Sequence, residues 1–226
     1  MSNKPRRPAQ RRPRPTPGST DRRTRNPMTI GLAVIIGVVI VGVAIAALLA
    51  ATGDDNSVFE YNGIALPAYT GAVDDPAYSL KAPIVVTEDL DGNRLVVGSG
   101  GGPNDPTSVW GFFAHWCPTC QGELPAIAAW LNENDLPDGV AVYAVSTFEN
   151  SGRDNHPPSD WFDSVDWPYP VLVDTADDDI ASLFGMANVP GWVVLDEFNR
   201  VIHRQTGAIG VDGFAALVHA AEQQVG

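Results

Sequence analysis

Trp116-Cys117-Pro118-Thr119-Cys120 holds the only two cysteines of the chain, two residues apart, behind an apolar run and ahead of a stretch with helical periodicity. A Cys-x-x-Cys pair alone serves as a redox couple, as half of a zinc site or as two small buried apolar residues, and its surroundings decide among them. Thiol-disulfide exchange is the leading expectation here. Only the thiolate attacks a disulfide, and a helix N-terminus stabilises it with unpaired N–H groups and the positive end of the helix dipole. Cys117 falls where that field is strongest, Pro118 suits the first helical position, and Cys120 follows one turn later within disulfide reach. This predicts Cys117 as the attacking thiol and Cys120 as the buried resolving thiol.

The competing readings are weaker. A zinc site needs more ligands than one Cys pair, and His115, His156, His203 and His219 show no ligand spacing. A purely structural disulfide closing a two-residue loop would remove little unfolded-state entropy. The run Gly98-Ser99-Gly100-Gly101-Gly102-Pro103 suggests a phosphate loop, yet no Lys follows at the required spacing and no strand and helix flank it. The reading therefore calls for no metal and no cofactor.

Around the cysteines, short β-rich runs are expected at 84–87, 94–97, 108–114, 140–146, 170–173, 192–196 and 201–204, alternating with helical patterns. Such alternation predicts an α/β fold with a central sheet covered on both faces. Leu124, Ile127, Ala128 and Leu131 form one helical stripe and Phe214, Leu217 and Val218 another, both read as core.

The stretch Phe112-Phe113-Ala114-His115-Trp116-Cys117-Pro118-Thr119-Cys120 resembles the active-site strand and helix of the thioredoxin superfamily. Glu123 and Pro125 complete a CxxCxxExP pattern similar to the membrane-anchored TlpA and ResA branch. Ala82-Pro83, Asp89-Leu90-Asp91-Gly92, Phe184-Gly185, Val189-Pro190, and Asp196 followed by Arg200-Val201 resemble that branch elsewhere, so the likeness runs from Ala82 to the end.

The resemblance implies a thioredoxin-like fold with a mixed sheet. It also implies a cis Pro190 beside the cysteines, with the backbone of Val189 available to a substrate strand and Trp116 covering one side of the sulfurs. Glu123, on the face of Cys120, becomes a candidate proton carrier for the resolving thiol, against the ordinary reading of a surface charge.

Three positions depart from the superfamily. Gly111 stands where cytoplasmic thioredoxins keep a buried Asp, which leaves Glu123 as the nearby candidate. Gly191 follows the proline where Thr is common and is expected to widen the substrate groove. His115 reads as surface polar, with a protonated form that would favour a nearby thiolate. A peroxidase of the related peroxiredoxin fold is disfavoured, because its Pro and Thr seven and three residues before the cysteine are Trp110 and Ala114 here.

Outward from this domain the composition changes. Residues 1–27 carry nine Lys or Arg against one acid, Asp21, with scattered prolines, and are expected to be a disordered basic cytoplasmic tail. Met28 to Ala51 are 24 uncharged, mostly aliphatic residues. As a helix they would rise about 36 Å against a bilayer core of about 30 Å. Residues 28–52 are therefore expected to span a membrane once.

A cleaved signal peptide, with Ala44-Ile45-Ala46 as the small-residue site, is disfavoured because the apolar run is too long. The basic tail places the N-terminus in the cytoplasm and the chain beyond the span outside it. Residues 53–81 read as an extracytoplasmic linker packing partly onto the domain, and 82–226 as the thioredoxin-like domain.

Beyond Thr52 only five basic residues face 26 acidic ones. A surface this acidic excludes nucleic acid and anionic lipid heads as partners. Its acids, among them Asp54, Asp55, Asp74, Asp75 and Asp177 to Asp179, read as solvated loop charges.

The expected function is thus a membrane-tethered thiol-disulfide oxidoreductase. Its partners would be exported or membrane-attached protein thiols and disulfides, plus a membrane or soluble redox partner that resets the pair. Family analogy favours reduction, with apocytochrome c among the substrates. The alternatives are a DsbA-like oxidant and a non-catalytic binding domain of the same fold.

Overall fold

Thr107–Phe113, strand β4, is buried at all seven positions, as a run of Val, Trp and Phe without alternating polar residues demands. Around it the computed structural model describes residues 58–98 and 105–225, all within one compact unit. The expected N-terminal tail and membrane span lie outside the described residues. Among the described residues no helix is long and apolar enough to cross a membrane.

In chain order the elements are β1 (Glu60–Asn62), β2 (Ile84–Glu88), β3 (Arg94–Val97), β4, α1 (Pro118–Glu133), β5 (Val140–Ser146), α2 (Pro158–Ser164), β6 (Val171–Val173), α3 (Asp179–Leu183), β7 (Gly191–Leu195), β8 (Val201–Thr206) and α4 (Gly210–Glu222). A five-stranded sheet runs β6-β5-β4-β7-β8, and a separate three-stranded sheet runs β1-β2-β3. The larger sheet is mixed. β4 pairs in parallel with β5, from Thr107 opposite Val140 to Phe113 opposite Ser146, and antiparallel with β7, from Ser108 opposite Leu195 to Phe112 opposite Gly191.

Because side chains alternate along a strand, the central strands divide their apolar residues between two cores. Val109 and Phe113 of β4 and Trp192 and Val194 of β7 face one layer, where Leu124, Ile127 and Leu131 of α1 meet Phe214, Leu217 and Val218 of α4. Both helical stripes expected from the sequence are buried there. Trp110 and Phe112, with Val193 and Leu195, face the other layer, against Ile180, Ala181 and Leu183 of α3 and the small sheet. Full burial of each such aliphatic side chain contributes about 1.5–3 kcal/mol.

From residue 58 onward the segment expected as a linker packs onto the domain. β1 pairs antiparallel with β2, Leu66 and Ala77 lie in the second core, and the backbone N–H groups of Leu66, Tyr69 and Ser79 donate to Leu183, Gly185 and Val201. The sequence carries little sign of this because the segment is held by backbone bonds and by one ion pair rather than by an apolar period. Arg204 of β8 has no exposed side-chain surface, and its guanidinium donates to both carboxylate oxygens of Asp75 and to the carbonyls of Pro67 and Phe184. Asp75, read from the sequence as a solvated charge, is the acceptor on which a buried cation depends.

Removing one partner of a buried pair leaves an uncompensated charge. Asp75→Ala is therefore expected to destabilise the fold by about 3–5 kcal/mol in denaturant titration. The hydrogen bond from Arg204 holds the Asp75 carboxyl below its ordinary 3.8 despite the opposing effect of burial. This stabilisation is present above that pH and is lost as pH falls below it, so the loss on acidification should be smaller in Asp75→Ala.

Candidate active site

The site forms where β4 ends. Cys117 N–H donates to Ala114 O at 3.0 Å, turning the chain out of the sheet, and Cys117 becomes the N-cap of α1 in extended conformation with Pro118 at the first helical position. The Cys117 sulfur accepts the Cys120 N–H at 3.3 Å, so one of the helix's orphan donors is aimed at the atom that carries charge as a thiolate. Cys117 keeps 6% of its surface exposed and Cys120 none, and the two are unbridged. Burial, then the hydrogen bond with Cys117, raises the Cys120 thiol well above its ordinary 9.0, and the nearby charge of Glu123 adds to the rise. The less buried of the two cysteines is thus the one at the helix N-cap, and the fully buried one holds its proton.

Across from the helix, the Val189–Pro190 bond is cis, and the Cys117 thiol donates to Val189 O at 3.6 Å. Trp116, the residue before Cys117, is half-buried, its Nε1 donating to Phe148 O at 2.6 Å and its ring lying 5.1 Å from the Arg153 guanidinium carbon. The structure therefore brings Trp116, Cys117, Cys120, Val189 and Pro190 together.

Glu123 is 6% exposed. Its Oε1 accepts the N–H groups of Ile209 and Gly210, at 2.5 and 2.7 Å, at the start of α4, which has no side-chain cap of its own. Its Oε2 is buried without a partner among the described residues. A carboxylate so placed caps a helix with one oxygen and leaves the other unbonded. The capping task has no signal near Glu123 in the sequence, because the recipients lie 86 and 87 residues away.

The AhpC/TSA family matches residues 77–213, more than half of the sequence. The chain belongs to the AhpC/TSA family. No curated protein matches it. Among solved structures it is similar to StoA from Bacillus subtilis, at 16% identity and a TM-score of 0.50, covering 62% of this chain and 98% of that one. It is similar also to dsbF of MTB, at 23% identity and 0.50, covering 60% and 93%. A thioredoxin family thiol:disulfide interchange protein from Chlorobium tepidum TLS resembles it at 18% identity and 0.51, covering 73% and 99%. Likeness at these identities establishes the fold, which is thioredoxin-like.

In this AhpC/TSA member two of the three sequence departures, Gly191 and His115, turn out differently from expectation. At Gly111 a Cβ would stand 2.5 and 2.7 Å from ring atoms of Phe113 and 3.0 Å from Trp192, so aromatic rings occupy the space. Gly191 does not widen the groove. A Cβ there would meet Met186 Cε at 2.8 Å and Asn188 O at 3.0 Å, so the preceding loop already occupies the space a side chain would take.

His115 is fully buried rather than surface polar. Its Nδ1 lies 2.7 Å from Asp154 O, an acceptor, and its Nε2 accepts the Asn150 N–H at 3.3 Å, an arrangement that fits the neutral Nδ1–H tautomer. The expected aid to a thiolate through a charged imidazole is therefore not what this geometry offers.

Glu123→Gln retains an acceptor for the α4 N–H groups while removing the charge. In a Cys117→Ser background, Cys120 should resist iodoacetamide at neutral pH and react only as pH rises well above 9.0. Adding Glu123→Gln should move that onset to lower pH, because the charge that opposes ionisation is gone. Mass-spectrometric alkylation profiles check both outcomes.

Proposed function

We propose that this chain is a membrane-tethered, extracytoplasmic thiol-disulfide oxidoreductase that reduces disulfides in exported proteins, apocytochrome c among them. The observation that carries the reading is the pairing of an N-cap cysteine that keeps some exposed surface, Cys117, with a fully buried, proton-holding Cys120, beside a cis Val189–Pro190 bond. The 24-residue uncharged run behind a basic leader supports the tether and its orientation. The CxxCxxExP pattern supports the TlpA and ResA branch and with it the reducing direction.

In the proposed cycle the Cys117 thiolate attacks one sulfur of a substrate disulfide. A mixed disulfide forms, and the substrate's other sulfur leaves as a thiolate that takes up a proton. Cys120 then loses its proton to the free oxygen of Glu123 and attacks Cys117. The Cys117–Cys120 disulfide forms and the second substrate thiol departs, so two electrons have passed to the substrate. A membrane or soluble dithiol partner reverses the change and resets the pair.

The Val189 carbonyl beside Cys117 and the half-exposed Trp116 ring supply the surface for an extended substrate chain. Peroxide reduction gains nothing from this site, since Trp110 and Ala114 are fully buried apolar residues that offer no hydroxyl.

Two variants separate the roles. Cys117→Ser should abolish reduction of insulin disulfides. Cys120→Ala should instead accumulate a mixed disulfide with exported proteins, isolated from the membrane fraction and resolved by dithiothreitol. Failure to trap any partner with Cys120→Ala, with Cys117→Ser trapping equally little, would sink the exchange reading.

A further inference from the structure

The 148–157 loop that follows β5 is exposed along most of its length and yet held by polar bonds, four of them to the two residues before Cys117. Trp116 Nε1 donates to Phe148 O, and the Arg153 guanidinium covers the Trp116 ring at 5.1 Å. His115 binds the loop with each of its polar side-chain atoms, through Asp154 O on Nδ1 and the Asn150 N–H on Nε2, and its own carbonyl accepts from Asn155 Nδ2 at 3.2 Å. Gln121 of α1 donates to the same carbonyl at 2.7 Å, so the imidazole sits at a junction of strand, helix and loop.

The loop is also braced within itself. Arg153 N–H donates to Asn150 O and Gly152 N–H to Asn150 Oδ1, while His156 and Glu149 meet at 2.9 Å across its two ends. Phe148 N–H donates to Asp178 at 2.7 Å, tying the base of the loop to the start of α3. Asp178 thus has a task that its place in an acidic run conceals.

An exposed loop that is ordered in advance costs less to hold still when a partner chain settles on it. This one is bonded to His115 and Trp116, the two residues before Cys117, and it brings Arg153, one of only five basic residues after Thr52, to the face of the tryptophan. We propose that the 148–157 loop is the second wall of the groove that receives a protein substrate, and that buried His115 is its positioning residue. This rests on the disulfide-exchange reading. The occupant is an extended, disulfide-bearing polypeptide running between Val189 and the Trp116–Arg153 pair. A small disulfide needs only the Cys117 sulfur and makes no use of the wall.

Steady-state reduction by the full chain in detergent, with insulin and with bis(2-hydroxyethyl) disulfide as probes, tests this. His115→Leu removes both ring hydrogen bonds. It should raise KM for insulin about tenfold with little change in kcat, and leave reduction of the small disulfide unaltered. His115→Asn places an amide N–H where Nδ1 stands and should recover part of the loss.

Arg153→Gln, on the exposed part of the loop, keeps the test decisive if the His115 variants do not fold. It should raise KM for insulin alone. Equal loss on both probes, or no change on insulin in any variant, overturns the proposal while the exchange reading stands. A wild-type chain that reduces neither probe overturns the exchange reading and the proposal with it.

Discussion

The structure depends on the complete burial of β4. A strand with Val, Trp and Phe on both faces needs a layer on each side, and it obtains them from α1 and α4 on one face and from α3 and the small sheet on the other. At its carboxyl end the chain turns at Ala114 into the N-terminus of α1. Cys117 owes its position to that turn. The sulfur lies at a helix N-cap because the strand ends there, and it meets Val189 because β7, which succeeds the cis-proline loop, is the strand paired with β4.

Three buried polar side chains then convert packing into specificity of place, each by holding backbone groups from a distant segment. Glu123 caps α4 and so fixes α1 against it. His115 fixes the loop after β5 against the active-site turn. Arg204 fixes the segment before β2 against β8 and α3 through Asp75, Pro67 and Phe184. Each such group carries a high cost if left unmatched, which is why each has several partners. Glu123 alone retains an unmatched oxygen, and it is the one whose charge acts on Cys120.

Legibility in the sequence tracks the range of the interactions involved. The strands at 84–88, 94–97, 107–113 and 140–146, and the stripes of α1 and α4, arise from short apolar β-rich runs and helical patterns carried by neighbouring residues. Cys117 and Pro118 at a helix start are likewise local. Short elements without a sustained period were illegible: β1 has three exposed residues, and α2 and α3 have only seven and five. Partners far apart in sequence were illegible too. Nothing near His115 announces that Asn150 and Asp154 will enclose it, and Asp75 reads as solvated until Arg204, 129 residues away, is brought to it. Gly191 misled because the absence of a side chain suggests space, whereas the chain uses that glycine for close approach.

The central claim is that Cys117 and Cys120 form a reducing couple. The most direct measurement is the reduction potential of the pair in the full chain, equilibrated against glutathione and dithiothreitol buffers and read by thiol trapping. The account predicts a value at or below about −250 mV, near that of thioredoxin-type reductants. A value above about −180 mV would make the pair an oxidant of exported thiols and contradict the direction proposed here. A pair that never equilibrates with either buffer would contradict the exchange chemistry itself.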